Sequence, residues 1–337
     1  MNRVTLSSIQ KALSPDVFVK RPILGGYYIV KDMFFWASTV YAFSLVEHTP
    51  LNIGLYWIFS GFWMWCLFMN GHDCGHGTFS DSWLLNTIAG HLSHVPLLVP
   101  YSVWTDSHRR HHMGHNHLKN DYSHPFVPVH KKEKKDIVMK FLQTLGLYPI
   151  MGWFVYMLGV PDGGHWIPFG GRLWRNASMS SRIHGIISSL LCALFAYNVY
   201  ISCGDSNSFF TWYAGSWFVF GWWLMTVTYL NHRDNTVEDT LVYGDESWTY
   251  LKGALQTVDR SYGSIIDHLM HNITNGHLVH HIFFTKIPHY HLEKATQQLY
   301  KYLDENGVEY KFRKTPFFFV DIYKFTWDHL NEATLIK

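Results

Sequence analysis

Residues Leu51–His76 read LNIGLYWIFSGFWMWCLFMNGHDCGH: a run from Leu51 to Met69 without a single charge, followed at once by His72-Asp73-Cys74-Gly75-His76. An apolar run of about 20 residues is long enough to cross a bilayer as a helix. An HxxxH pair directs two imidazoles from one helical face. The rest of the chain repeats both halves of this junction. Upstream lies another apolar run, Met33 to Val46, reaching spanning length as 28–47 and broken from its neighbour by Glu47-His48-Thr49-Pro50. A second pair occupies 183–201 and 209–230, separated by the short polar stretch Ser202 to Ser208. The pattern predicts two helical hairpins, and their lack of charge argues against buried helices of a soluble protein. None of the 27 Lys and Arg falls between Asp32 and His108 or between Ile183 and His232. Basic residues mark cytoplasmic loops, so both termini and the segments 70–182 and 231–337 are expected on that side as a cytosolic cap. No cleavable signal is read before the first run, which is therefore expected to serve as an uncleaved anchor. Leu84–Pro100 and Phe141–Val160, interrupted by His, Pro and Gly, read as helices in or near the interface, and Thr5–Leu13 as a short surface helix. The fold class expected is an all-α integral membrane protein with four transmembrane helices and a single domain over 1–337.

The 337 residues are 48% hydrophobic, 18% aromatic and 15% charged, yet mean hydropathy is near zero. Much of the offset comes from 23 histidines. Such hydrophobicity excludes a disordered chain, no internal repeat is present, and a net charge of +2 gives no case for nucleic acid. Cys66, Cys74, Cys192 and Cys203 are too irregularly placed for a disulfide scaffold.

The histidines gather. Beyond His72 and His76, His108-Arg109-Arg110-His111-His112 and His277-Leu278-Val279-His280-His281 each show HxxHH, and His232 ends the fourth apolar run. Positions i, i+3 and i+4 share a helical face, so each HxxHH aims three imidazoles at one place. Imidazole suits iron, zinc, copper or nickel. Eight or nine such ligands are too many for one ion and imply two metals, each with four or five ligands and an open position. A zinc-protease reading fails because it needs a Glu inside HExxH, and here Asp73 follows His72.

The boxes HDCGH, HRRHH and HLVHH, in this order around two apolar hairpins, resemble those of the membrane fatty-acyl desaturases. The likeness extends to HDCGHGTFSD from His72, LLNTIAGH from Leu84, VPYSVW from Val99, VTYLNH ending at His232, LKGALQTVDRSYG from Leu251 and HNITNGHLVHHIFFTKIPHYHLEKAT from His271. These are similar to the methyl-end branch, which makes delta-12 and omega-3 double bonds, and VPDGGHWIPF from Val160 is similar to its invertebrate members. The resemblance covers roughly Leu6 to Tyr310. It implies a di-iron centre that uses O2 and two electrons to remove two hydrogens from an acyl chain. The ligands it implies are His72, His76, His108, His111, His112, His277, His280 and His281, with His232 as a ninth. Carboxylates normally orient metal-bound histidines, and Asp73, Asp106, Asp234, Asp259 and Asp267 are near enough in sequence to be candidates. His268, His271, His289 and His291 flank the third box without its spacing, and His271 is the first of them to test.

The substrate implied is an acyl lipid or acyl-CoA in a narrow apolar tunnel, with Trp212, Trp217, Trp222 and Trp223 as candidates to line it. The chain carries no Gly-rich dinucleotide fingerprint and no HPGG haem motif. Electrons are then expected from outside, and the resemblance implies a separate cytochrome b5 and its reductase as the donors. The run Lys131-Lys132-Glu133-Lys134-Lys135 is either a solvated loop or a dock for an acidic partner or lipid head groups. A rival on the same centre is an acyl hydroxylase, epoxygenase or acetylenase. A rival from another class is a membrane metal transporter, which should hold its ligands within the spans, whereas these boxes lie outside the apolar runs. The sequons at Asn176 and Asn272 should go unglycosylated on the cytoplasmic side. Leu335-Ile336-Lys337 lacks a dilysine signal, so residence in the endoplasmic reticulum is implied by resemblance.

Overall fold

The structure, a computed structural model, describes residues 4–121, 123–124, 126–129, 137–159, 164–167, 171–175 and 177–336. The run Lys131–Lys135, most of VPDGGHWIPF and Asn176 lie outside the described residues. Among the described residues the fold is mostly helical, as expected, with five short strands that the sequence pattern did not signal. By its internal contacts the chain forms two compact units, 21–106 with 150–225, and 1–20 with 107–149 and 226–337.

The first unit is helical. Pro22 and Pro50 sit at the starts of the helices Pro22–Ser44 and Pro50–His76, where a missing N–H costs nothing, and the Thr49 hydroxyl accepts from the Asn52 N–H at 3.2 Å as an N-cap. Gly61 lets Pro50–His76 lie against the backbone of Ser216, since a β-carbon there would stand 2.6 Å from its carbonyl oxygen. Small residues permit such close helix approach in lipid. The carbonyls of the turn after Trp83–His94 are also answered. Trp217 Nε1 donates to Leu97 O at 2.7 Å, Trp166 Nε1 to Leu98 O at 2.6 Å, and the Tyr213 hydroxyl to Pro96 O at 2.8 Å. Trp217 thus has a structural task that an acyl tunnel does not require.

Two helices, Pro50–His76 and Met179–Cys203, are long and apolar enough to cross a membrane. Only 11% of the most apolar window of the second is buried, and it turns Leu190, Leu194 and Ile201 outward. An apolar surface of this extent calls for lipid rather than water. The expected runs 28–47 and 209–230 also fold largely as helix, within Pro22–Ser44 and Gly215–His232. Neither reaches the same measure: Lys31 and Asp32 interrupt the first, and Trp, Tyr and the terminal Asn231-His232 lower the hydropathy of the second.

The second unit holds all the strands found among the described residues. β1 (Val127–Pro128), β5 (Glu332–Ile336) and β2 (Leu241–Tyr243) form one parallel sheet in the order β1-β5-β2, with Val127 opposite Glu332 and Leu241 opposite Thr334. Phe126, Val242 and Ala333 make its core. β3 (Val258–Ser261) pairs in parallel with β4 (Lys311–Lys314). Parallel partners are distant in sequence, and strands of two to five residues carry too little alternation to be read locally.

Candidate metal centre

The first box is not a loop after a span. The helix beginning at Pro50 runs on to His76 and stops because Gly77 takes a left-handed backbone, φ 71°. His72 and His76 occupy successive turns of its buried end, with their Nε2 atoms 3.2 Å apart.

The other seven histidines belong to the second unit. His108, His111 and His112 lie on the last turns of helix Tyr101–Gly114, and His277, His280 and His281 on the short helix His277–Ile282. His112 Nε2 stands 3.0 Å from His108 Nε2 and 3.2 Å from His280 Nε2. In a second constellation, His232 Nε2 stands 3.2 Å from His111 Nε2 and 3.1 Å from His277 Nε2. His111, His232 and His281 each offer a nitrogen within 4.8 Å of the others.

These distances can be tested against a metal. His111 Nδ1 donates to Asp121 Oδ1 at 2.8 Å, and His277 Nδ1 to Ile273 O at 3.2 Å. Their Nε2 atoms therefore present lone pairs, and both face His232 Nε2. That atom has one proton at most, so at least one pair of lone pairs meets at about 3 Å. Among the described residues, fully buried His281 has no hydrogen-bond partner on either ring nitrogen. A cation answers both observations. Two nitrogens each about 2.1 Å from one ion are about 3.0–3.4 Å apart in octahedral or tetrahedral arrangement. Burial, then the neighbouring imidazoles, holds the His281 pKa well below its ordinary value, which keeps the neutral, ligating form.

What aims these helices is β3. Its residues alternate sides. Asp259 accepts from the Leu278 N–H at 2.7 Å, at the start of the third-box helix, and from the Tyr300 hydroxyl at 2.5 Å. Burial pushes its carboxyl up to about 7. Arg260 points the other way and is 1% exposed. Its guanidinium donates to Leu230 O at 2.6 Å and Arg233 O at 2.8 Å, carbonyls that flank His232, and to Thr315 Oγ1 at 3.1 Å. Asn231 Nδ2 completes the tie, donating to Val258 O at 2.8 Å and Thr274 O at 2.7 Å. One strand thereby locks His232 and the third box together.

Asp121, which was not among the sequence candidates, touches a box imidazole through a short bond. It also accepts from the backbone N–H groups of Asn116, Ser123 and His124 at 2.9, 3.2 and 3.1 Å. Burial works against its charge, yet His111, His124 and these bonds hold its pKa below the usual value. Asp73 Oδ1 is 3.9 Å from His72 Nδ1, too far for a hydrogen bond. Asp234 is held by Arg313 at 3.0 Å, Asp267 accepts from Ser261 and the Tyr262 N–H, and Asp106 is half-buried on the second-box helix. The His271 ring packs on His289 at 4.5 Å, His268 is exposed, and His291 bonds Val19 O. Two further buried histidines border the constellations: His124, 4.4 Å from the His232 ring, and His115, 5.0 Å from the His281 ring. His115 stands at i+4 from His111, so extending the helical spacing by one turn would have found it.

A family model described as fatty acid desaturase matches residues 48–314, which include all nine histidines. The chain belongs to the fatty acid desaturase family. The desaturase, an oxidoreductase, is 36% identical to the delta-12 fatty acid desaturase of Caenorhabditis elegans over 97% of this chain and 88% of that one. It is 36% identical to the omega-3 fatty acid desaturase of the same organism over 89% of this chain and 74% of that one. It is 32% identical to an Arabidopsis thaliana protein named acyl-lipid omega-3 desaturase (cytochrome b5), endoplasmic reticulum, over 87% of this chain and 75% of that one.

Proposed function

We propose that this desaturase inserts a cis double bond on the methyl side of an existing one, at the delta-12 or omega-3 position, in the acyl chain of a phospholipid or acyl-CoA. The observation that carries this reading is equal identity to a delta-12 and an omega-3 relative. The longer match to the delta-12 relative, 97% of the chain against 89%, makes delta-12 the first position to test.

The reading assigns two irons to His72, His76, His108, His111, His112, His232, His277, His280 and His281, with O2 as co-substrate. Such a centre supplies the oxidising power that an unactivated C–H bond demands. The protein's own residues do the rest. The box imidazoles present lone pairs, Asp121 holds the Nδ1 proton of His111, and β3 fixes His232 against the third box. Electrons come from a separate cytochrome b5 and its reductase, a reading supported by the Arabidopsis relative, whose name carries cytochrome b5. Four spans and a cytosolic cap in the endoplasmic reticulum membrane complete the reading, the chain acting as a single desaturase domain.

Expression in yeast with mass spectrometry of double-bond positions tests it. A new diene or triene is expected, and hydroxy or epoxy acids in its place overturn it. The purified protein should hold on the order of two irons per chain, and His111→Ala should lose both metal and activity. Full activity after that change refutes the ligand set.

A further inference from the structure

The second unit carries, away from its histidines, two neighbouring helices whose apolar side chains face outward. Helix Ile137–Thr144 exposes Ile137 and Phe141, and Leu145 follows at the next turn, the i, i+4, i+8 stripe of one face. Helix Phe318–Asp328 buries Phe318, Ile322 and Phe325, which accounts for its packing. Its other face should then be polar. Instead it presents Phe319, Val320 and Trp327, each at least half exposed. The Gln143 side chain donates to Trp327 O at 2.6 Å and joins the two helices. Exposed among these side chains are Lys140 and Lys324, with Asp328 at the far end of the second helix.

A protein that stays in water does not keep two adjacent helices with aromatic outer stripes. Aromatic and aliphatic side chains interleaved with lysines are the composition of helices that lie in a bilayer interface, and the lysines complement anionic head groups. The bilayer is already at hand, because this chain carries its own candidate spans. We propose that Ile137–Thr144 and Phe318–Asp328 together form a membrane-surface anchor, with the outward apolar stripes in the upper acyl region and Lys140 and Lys324 among the phosphates. The anchor holds the unit that carries seven of the nine histidines at the membrane, where an acyl lipid is found.

The test uses full-length protein in nanodiscs of phosphatidylcholine with and without phosphatidylserine. Cys66, Cys74 and Cys192 are buried, so a Cys203→Ser background accepts single nitroxide labels at Phe141→Cys, Val320→Cys or Trp327→Cys. Lys301→Cys, at a position whose side chain is 78% accessible, is the aqueous control. The stripe labels are expected to collide several-fold more with O2, relative to a water-soluble nickel chelate, than the control does. A nickel-dominated ratio at the stripe, showing water, overturns the proposal. Shielding from both reagents also overturns it, because that means a protein partner or a second copy covers the face. Lys140→Glu with Lys324→Glu should lower the O2 preference at Val320→Cys only where phosphatidylserine is present, and an equal ratio with and without it overturns the head-group assignment. Thermal melting of each labelled protein, expected to match the parent, separates these outcomes from misfolding.

Discussion

Asp121 lies ten residues beyond His111 and touches it. The box imidazoles were legible because HxxHH is a helical spacing, and one face of one helix gathers what the sequence spaces. The carboxylates next to the boxes in sequence drew attention for the opposite reason, proximity along the chain, which means little once a helix ends. Asp73 is adjacent to His72 yet out of bonding distance, and Asp234, two residues from His232, turns to Arg313. Asp121 instead returns through the turn after Gly114 and collects three backbone N–H groups on the way. Asp121→Asn keeps the shape and replaces an acceptor by a donor facing donors. Metal affinity or activity should fall about 10–100-fold, as for other partners of ligating histidines. Iron per chain and turnover, measured together, check this; wild-type values for both would mean that His111 is oriented by the helix alone.

At the scale of elements, the apolar runs and boxes announced the helices, but the strand that organises them is four residues long, and its partner, from Val258↔Lys311 to Ser261↔Lys314, lies beyond the whole third-box helix. In LKGALQTVDRSYG, Asp259 stands out only as a carboxylate near the third box, and Arg260 looks like an ordinary surface charge. Their alternation on β3 sends one to the N-terminus of the third-box helix and the other to the C-terminal carbonyls of the helix ending in His232. Arg260 is a buried cation with no carboxylate bonded to it among the described residues, and it is tolerated because carbonyl oxygens at a helix C-terminus are where positive charge is favoured. Arg260→Met should therefore destabilise by about 1–3 kcal/mol for each buried carbonyl left without a donor. Arg260→Lys should recover little of that, since a single ammonium cannot reach Leu230 O, Arg233 O and Thr315 together. Thermal unfolding in detergent, followed for both variants, measures the loss; a lysine variant as stable as the parent would show that charge rather than the planar fork is what the site needs.

For the whole molecule, the one-sided distribution of Lys and Arg predicts where each segment lies relative to the bilayer, and the structure changes which residue best tests it. The sequon at Asn272 has Thr274 fully buried and bonded to Asp267, so its lack of a glycan would follow from folding on either side of the membrane. Cys203 is a better reporter. It ends helix Met179–Cys203, on the polar link between the third and fourth runs, and it is partly exposed while Cys66, Cys74 and Cys192 are buried. Two hairpins with a cytosolic cap place this link in the lumen. In sealed microsomes a membrane-impermeant maleimide should then leave the protein unlabelled, and permeabilisation should give one label per chain that Cys203→Ser abolishes. Labelling at Cys203 in sealed vesicles would put this link on the cytosolic face, and with it the charge asymmetry would lose its meaning as a guide to this fold.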